Sequence, residues 1–223
     1  QMIIAKKLFG GAADKDGDEY EPVLCMKRDD GDCPSPDCCG IPIGNRPRVL
    51  PVQSQNEVTN NAYWERRKNF KYLQEVRRLA AAVAPNAQSI VDVGSNGCPY
   101  LDWWQNATRR VSVDLRRPYV APGVEWVVGD FLEYDVDAKF DLCLCLQVLE
   151  HVPDARSMAR KLLAIADHVI ASVPYQWPRG RVKWHVHDPV DEQKMLDWFG
   201  REPDKAIIVK EDSGGKCARR LIC

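Results

Sequence analysis

The feature that most constrains this chain is a cadence of short apolar runs that begins near residue 89 and continues to the last residue. Ser89–Val93, Arg110–Asp114, Val124–Val128, Phe140–Leu146, His168–Val173, Ala206–Lys210 and Arg219–Cys223 are each too short for a buried helix and rich in Val, Ile, Leu and Cys, the pattern of buried strands. The early runs alternate with helical stretches, and such alternation closes into a parallel sheet through right-handed crossovers that cover both faces. Between the last two runs only Glu211 to Ala218 intervene, with Gly214-Gly215 among them. That is too short for a crossover helix, so these two strands are expected to pair as an antiparallel hairpin. The expected class is α/β, a seven-stranded mostly parallel sheet with an antiparallel terminal hairpin and helices on both faces.

Two helical patterns flank the cadence. Upstream, Tyr63, Trp64, Phe70, Leu73, Val76, Leu79 and Ala80 recur at three- and four-residue steps, which predicts one amphipathic helix from Asn61 to about Ala84-Pro85. Downstream, Pro189–Phe199 reads as a short amphipathic helix stopped by Gly200. Residues 1–60 lack such a period and hold the acidic, Gly/Pro-rich runs Asp14–Glu21 and Asp29–Gly44. They are expected to form an irregular acidic, Cys-containing arm ahead of a domain spanning 61–223. Charge is balanced, 31 basic against 32 acidic residues, so nothing calls for a nucleic-acid partner and none is expected. No apolar run approaches the roughly 20 residues of a membrane span and no signal-peptide order opens the chain, so a cytoplasmic protein without membrane contact is expected. Of nine cysteines, Cys98, Cys143, Cys145, Cys217 and Cys223 fall in apolar segments and read as buried thiols. Cys25, Cys33, Cys38 and Cys39 have the spacing C-x7-C-x4-C-C, without paired C-x-x-C knuckles; metal, disulfides and free thiols all stay open for them.

Four strand exits carry polar or small residues suited to a ligand, and open parallel sheets bind ligands at the carboxyl ends of their strands. Ile90-Val91-Asp92-Val93-Gly94-Ser95-Asn96-Gly97 runs from a strand into a glycine turn that lets a ligand approach the backbone. It is not G-x-G-x-x-G, which disfavours a dinucleotide fold. Asp114, 22 positions after Asp92, ends the next run, where a carboxylate accepts bonds from the ribose hydroxyls of an adenosine cofactor. Gly129-Asp130-Phe131 leaves the third run with an acid and an aromatic, a pair able to meet an adenine. The fourth exit, Phe140 to Asp154, reads F-D-L-C-L-C-L-Q-V-L-E-H-V-P-D and is the most specific.

Taken together, the strand-borne D-x-G-x-x-G, the acid after the second strand, G-D-F after the third and V-L-E-H-V-P-D after the fourth resemble the class I S-adenosylmethionine-dependent methyltransferases, over roughly Asn61 to Ala171. The resemblance implies a Rossmann-like sheet and S-adenosylmethionine as cofactor. It places Asp92, Gly94, Ser95, Asn96 and Gly97 around the methionine part, Asp114 with Leu115 at the ribose, Asp130 with Phe131 at the adenine, and Leu146 with Gln147 at the sulfonium. Tyr63 or Arg66, on the upstream helix, would meet the methionine carboxylate. Many members carry a further glycine where Asn96 or Cys98 stands here, which leaves the loop's form open.

Methyl transfer from a sulfonium is an in-line displacement, so alignment and desolvation are the main contributions asked of the protein. A hydroxyl acceptor also has a proton to lose. Glu150 and His151 sit just past the fourth strand, with His151 the candidate base. The segment Pro174–Pro189 holds two tryptophans, cations, and His185 and His187, suited to an anionic or sugar-like acceptor. Its two histidines with Glu150 and His151 resemble the metal set of small-RNA 2′-O-methyltransferases and some ubiquinone-pathway enzymes, yet Gln147 stands where those place another carboxylate, and no metal is assigned. The expected activity is methyl transfer to a small-molecule or glycan acceptor, at oxygen. The alternatives are a noncatalytic methyltransferase-like binding protein, a metal-assisted RNA 2′-O-methyltransferase, and a nicotinamide-dependent oxidoreductase. Oligomeric state is not legible.

Overall fold

Each apolar run becomes a strand of one sheet. The computed structural model describes residues 62–213 and 216–223, so the expected arm and Cys25, Cys33, Cys38 and Cys39 lie outside the described residues. The strands are β1 (Ser89–Val93), β2 (Arg109–Asp114), β3 (Glu125–Val128), β4 (Phe140–Leu146), β5 (Ala166–Pro174), β6 (Ile207–Ser213) and β7 (Lys216–Ile222), in the order β3-β2-β1-β4-β5-β7-β6. β1 to β5 pair in parallel, Val91 with Val111 and with Cys143, and Leu144 with Ile170. β7 runs antiparallel to both β5 and β6, the terminal hairpin expected from the short Glu211–Ala218 connection.

Period-two alternation sends each strand's side chains into two cores. On one face Ile90, Leu142 and Leu144 pack with Tyr72, Leu73, Val76 and Leu79 of the upstream helix. On the other, Val91, Val111, Cys143 and Cys145 pack with Met158, Ala159 and Leu162 of a helix at Ala155–Ile165 and with Met195 and Trp198 of one at Glu192–Phe199. Gly200 closes the latter at φ 71°, the left-handed stop its position predicts. Cys98, Cys143 and Cys145 are buried free thiols, as their apolar neighbours suggest, and burial pushes Cys98 up to about 12.

Two expectations change. The upstream helix is two helices, α1 (Ala62–Arg67) and α2 (Lys71–Val83), broken at Phe70, whose φ −65° and ψ 139° are extended. The break is held from afar: Glu211 of β6 accepts the N–H groups of Lys71 and Tyr72 at 3.1 and 2.6 Å, satisfying the first amides of α2. With Ala155–Ile165 as α3 and Glu192–Phe199 as α4, the early crossovers also differ: β1 reaches β2 through a 3-10 turn at Tyr100–Trp104, and β3 reaches β4 through another at Phe131–Glu133. No helix among the described residues is long and apolar enough to cross a membrane.

Candidate functional site

β1 delivers a buried acid to the carboxyl rim of the sheet. Asp92 is 0% exposed, and neither of its carboxylate oxygens meets a hydrogen-bond partner among the described residues. Burial, reinforced by the nearby Asp114, raises its pKa well above the usual carboxylate range. Two residues after Asp92, Gly94 turns at φ 80°, and a Cβ there would stand 2.5 Å from Cγ2 of Val148, so the loop and the β4 exit touch through the missing side chain. Asn96 (φ 48°) and Gly97 (φ 70°) continue the left-handed turn, with Ser95 buried beneath, its Oγ accepting from Gly97 N–H and Ser112 Oγ. The turn thus uses Asn96 in a left-handed conformation that asparagine tolerates better than most residues.

Asp114 lies on the next strand, beside this loop. Its Oδ2 accepts the Asn96 N–H at 2.8 Å, and its Oδ1 accepts those of Arg116 and Arg117 at 2.9 and 2.8 Å. A carboxylate has about four acceptor positions, so three amides fix its place and leave room for a further donor. Leu115, 62% exposed, offers an apolar face at the same rim. On β3's exit, Asp130 accepts Leu132 N–H at 2.9 Å and caps the 3-10 turn. The ring of Phe131 does not face this rim: it is 5% exposed, sits in the core with Val127 and Leu162, and has the Lys161 ammonium 5.1 Å above it. The sequence placed Phe131 at an adenine; its ring is used in packing, and only its backbone is left near the strand end.

Past β4, Leu146 is buried and Gln147 turns at φ 59°, its Nε2 donating to Ser172 Oγ and its Oε1 accepting from Arg220 Nε at 3.1 Å. Glu150 and His151 follow in a 3-10 turn at Leu149–His151. Glu150 is 1% exposed, its Oε2 lacks a partner among the described residues, and burial pushes its pKa up to about 8. His151 places Nδ1 3.2 Å from the Trp184 carbonyl oxygen, a contact that needs the Nδ1–H tautomer and leaves the Nε2 lone pair 3.8 Å from Glu150 Oε1. Desolvation, then the neighbouring His185, lowers the His151 pKa even though its side chain is 41% exposed, which favours the neutral ring, the form that accepts a proton.

The loop after β5 closes over this turn, with Val186 N–H donating to the Glu150 carbonyl at 2.9 Å. His185 stands edge-on to His151 with ring centres 4.7 Å apart and stacks on Trp177 at 5.8 Å. Its Nδ1 lies 2.8 Å from Oδ2 of the buried Asp188. One ligand atom each from Glu150, His151 and His185 therefore lies within 4.8 Å of the others, a set able to hold a divalent cation. Both histidines have Nδ1 engaged by an oxygen, the arrangement that orients Nε2 toward a metal or a proton. His187 does not join them: its Nε2 lies 2.7 Å from the Val152 carbonyl and its ring packs edge-on against Trp198.

A cavity of about 140 Å³ lies elsewhere, lined by Leu79, Leu163, Val169, Met195, Phe199 and Cys223 at the opposite end of β5. It gathers none of these polar side chains; converging groups with unsatisfied atoms mark the candidate site instead.

Many solved structures are similar to this fold. N-methyltransferase NodS from Bradyrhizobium japonicum WM9, in complex with S-adenosyl-L-homocysteine, superposes with a TM-score of 0.53 at 12% identity, over 74% of this chain and 92% of that one. A methyltransferase-like structure (BH2331) from Bacillus halodurans C-125 gives 0.51 at 14% identity, over 67% and 96%. The N-terminal domain of EvdMO1, in the presence of S-adenosyl-L-homocysteine and D-fucose, gives 0.50 at 13% identity, over 69% and 82%. The chain has the class I S-adenosylmethionine-dependent methyltransferase fold. No family model matches the sequence, and no curated protein matches it.

Within this methyltransferase fold the sequence reading missed Asp188 and Arg220. Asp188 lies beside His185 in H-V-H-D-P, an adjacency visible in the sequence but without a reason to separate it from an ordinary turn acid. Arg220 has no local signal: its place at the rim follows from the pairing of β7 with β5, which brings it opposite Pro174.

Proposed function

We propose that this protein binds S-adenosylmethionine at the rims of β1, β2 and β4 and transfers its methyl group to an oxygen of a small-molecule or glycan acceptor. The carrying observation is Asp92, a buried carboxyl two residues before Gly94, with both oxygens lacking a partner among the described residues. Such a group is expensive unless a donor or cation meets it, and the cofactor's amino group is a donor of the right charge. Asp114 would take the ribose hydroxyls beside the exposed Leu115, Asp130 and the Phe131 backbone would border the adenine, and the Leu146-Gln147 turn would border the sulfonium end, with Ser95, Asn96 and Gly97 closing the loop. When bound, the cofactor supplies an activated methyl group on a sulfonium, a good leaving group.

The chain's own residues then align the acceptor and remove its proton. His151 Nε2 is the base: its other nitrogen is tied to the Trp184 carbonyl, and its lowered pKa keeps the lone pair free near neutrality. As the acceptor oxygen gains the methyl group, its hydrogen passes to Nε2. The Pro174–Pro189 loop, latched to Glu150, excludes water from that transfer. The presence of D-fucose with S-adenosyl-L-homocysteine in the EvdMO1 structure is in keeping with a sugar acceptor.

The convergence of Glu150, His151 and His185 supports a second reading, in which a divalent cation polarises the acceptor oxygen and lowers its pKa. Calorimetric titration separates the readings. Wild-type protein is expected to bind S-adenosyl-L-homocysteine, and Asp114→Asn to weaken that binding by about tenfold or more, the loss of charge-assisted bonds, while remaining folded by circular dichroism. Equal affinity in the variant would remove Asp114 from the ribose site, and no binding by the wild type would leave a noncatalytic relative of the fold. Mn²⁺ binding that disappears in Glu150→Gln would favour the metal-assisted form; no Mn²⁺ binding to the wild type would leave His151 as the base.

A further inference from the structure

Arg220 occupies the rim of β7 paired with Pro174, and is 6% exposed. Its Nε is fixed by the 3.1 Å bond to Gln147 Oε1. Three aromatic rings collar the guanidinium, whose carbon lies 4.6 Å from the centre of Tyr72, 5.2 Å from Phe70 and 5.7 Å from Trp177. Within that collar Nη1 is buried and without a hydrogen-bond partner among the described residues. A guanidinium does not shed its charge, so a desolvated N–H of this kind calls for an anion.

No acid among the described residues hydrogen-bonds Nη1, although the charge of Glu211 acts on the guanidinium. Glu211 turns both oxygens to the Lys71 and Tyr72 amides, and Glu150 makes no hydrogen bond to the guanidinium. Sheet order says which ligand would bring the missing anion. The proposed adenosyl site lies over β2 and β1 and its methionine part over β1 and β4, whereas Arg220 reaches Gln147 from β7, across β5. That is the side where His151, His185 and Trp177 gather, the side of the acceptor.

We infer that Arg220 is a specificity-determining residue that receives a carboxylate or phosphate of the methyl acceptor through its free Nη1, an inference that rests on the proposed cofactor site. Arginine suits this role because its planar fork, already oriented by Gln147, loses little freedom when an oxyanion docks. The aromatic collar keeps water from competing and offers apolar faces to a sugar ring.

The test uses protein saturated with S-adenosyl-L-homocysteine and titrates D-glucuronate, D-glucose 6-phosphate and, as the neutral twin, D-glucose, following affinity and the ¹⁵N–¹H resonance of Arg220 Nε. At least one anionic sugar should bind the wild type more tightly than glucose and move that resonance, the carboxylate and phosphate arms telling which anion fits. Arg220→Gln should lose about tenfold or more of that affinity, the value of one charge-assisted hydrogen bond, and Arg220→Lys should recover part of it. Affinity for S-adenosyl-L-homocysteine should stay within about twofold in both variants, which also reports that they fold. Anionic sugars that bind no better than glucose, or equally well to Arg220→Gln, would overturn the inference. A variant that loses S-adenosyl-L-homocysteine as well would overturn it too, because Arg220 would then serve the cofactor site, directly or through Gln147. Failure of the wild type to bind S-adenosyl-L-homocysteine is a separate result and strikes the proposed cofactor site instead.

Discussion

Glu150 carries a proton that the unfolded chain would give up. Burial raises its pKa from an ordinary 4.5 to about 8, while Arg220 acts in the opposite direction and does not prevail. Between those two values the unfolded protein has released the proton and the folded protein has kept it, so unfolding releases a proton and stability falls as pH rises through the window. Below 4.5 both states hold the proton and the contribution is complete; above about 8 it is lost. Asp92, raised for the same reason, adds a slope of the same sign. Glu150→Gln keeps the neutral form at every pH. Its melting temperature should therefore decline less steeply than the wild type's from pH 5 to pH 8, and exceed it at pH 8. Parallel curves would mean that the carboxyl is solvated and ionised in the native protein. A cation held with His151 and His185 would favour the ionised form, so saturating Mn²⁺ should flatten the wild-type curve if the metal-assisted reading holds.

Elements differ in how far their causes lie along the chain. Strand β4 is written in its own residues, Phe140 to Leu146, and the stop of α4 in Gly200. The break between α1 and α2 is not, because the apolar spacing from Tyr63 to Ala80 continues across it and the group that caps α2 comes from β6. Glu211→Gln replaces two charge-assisted bonds with at most one neutral acceptor and should destabilise the protein by about 1–3 kcal/mol. For a domain of this size that is a fall of about 2–4 °C in melting temperature per kcal/mol, measurable by calorimetry. An unchanged melting temperature would show that water or the backbone caps α2 equally well. The same distinction governs the site. Asp92, Asp114, Glu150 and His151 could be proposed from sequence because each lies at or next to the end of its own strand or turn, whereas Arg220 reaches the proposed site only through the pairing of β7 with β5. Phe131 shows the converse: an aromatic at a strand exit reads the same whether its ring turns toward a ligand or, as here, packs in the core with Leu162.

At the scale of the whole molecule, the two cores are apolar, while the carboxyl rim between β2 and β7 collects ionisable groups with an atom that lacks a partner among the described residues: Asp92, Glu150, Asp188 and Arg220. Native domains leave few such atoms, so their gathering along one edge is a cost to the free protein that a ligand would offset. Asp92 tests that trade most directly. Asp92→Asn keeps the side chain's form and removes the buried acid, so the free variant should melt at or above the wild-type temperature at neutral pH. S-adenosyl-L-homocysteine at about 100 times its Kd should stabilise the wild type by about 2.7 kcal/mol, or about 5–10 °C, and the variant by much less. A variant that keeps the full ligand-induced rise would remove Asp92 from the cofactor site. One that melts well below the wild type without ligand would show that the carboxyl holds the β1 turn rather than waiting for a cation.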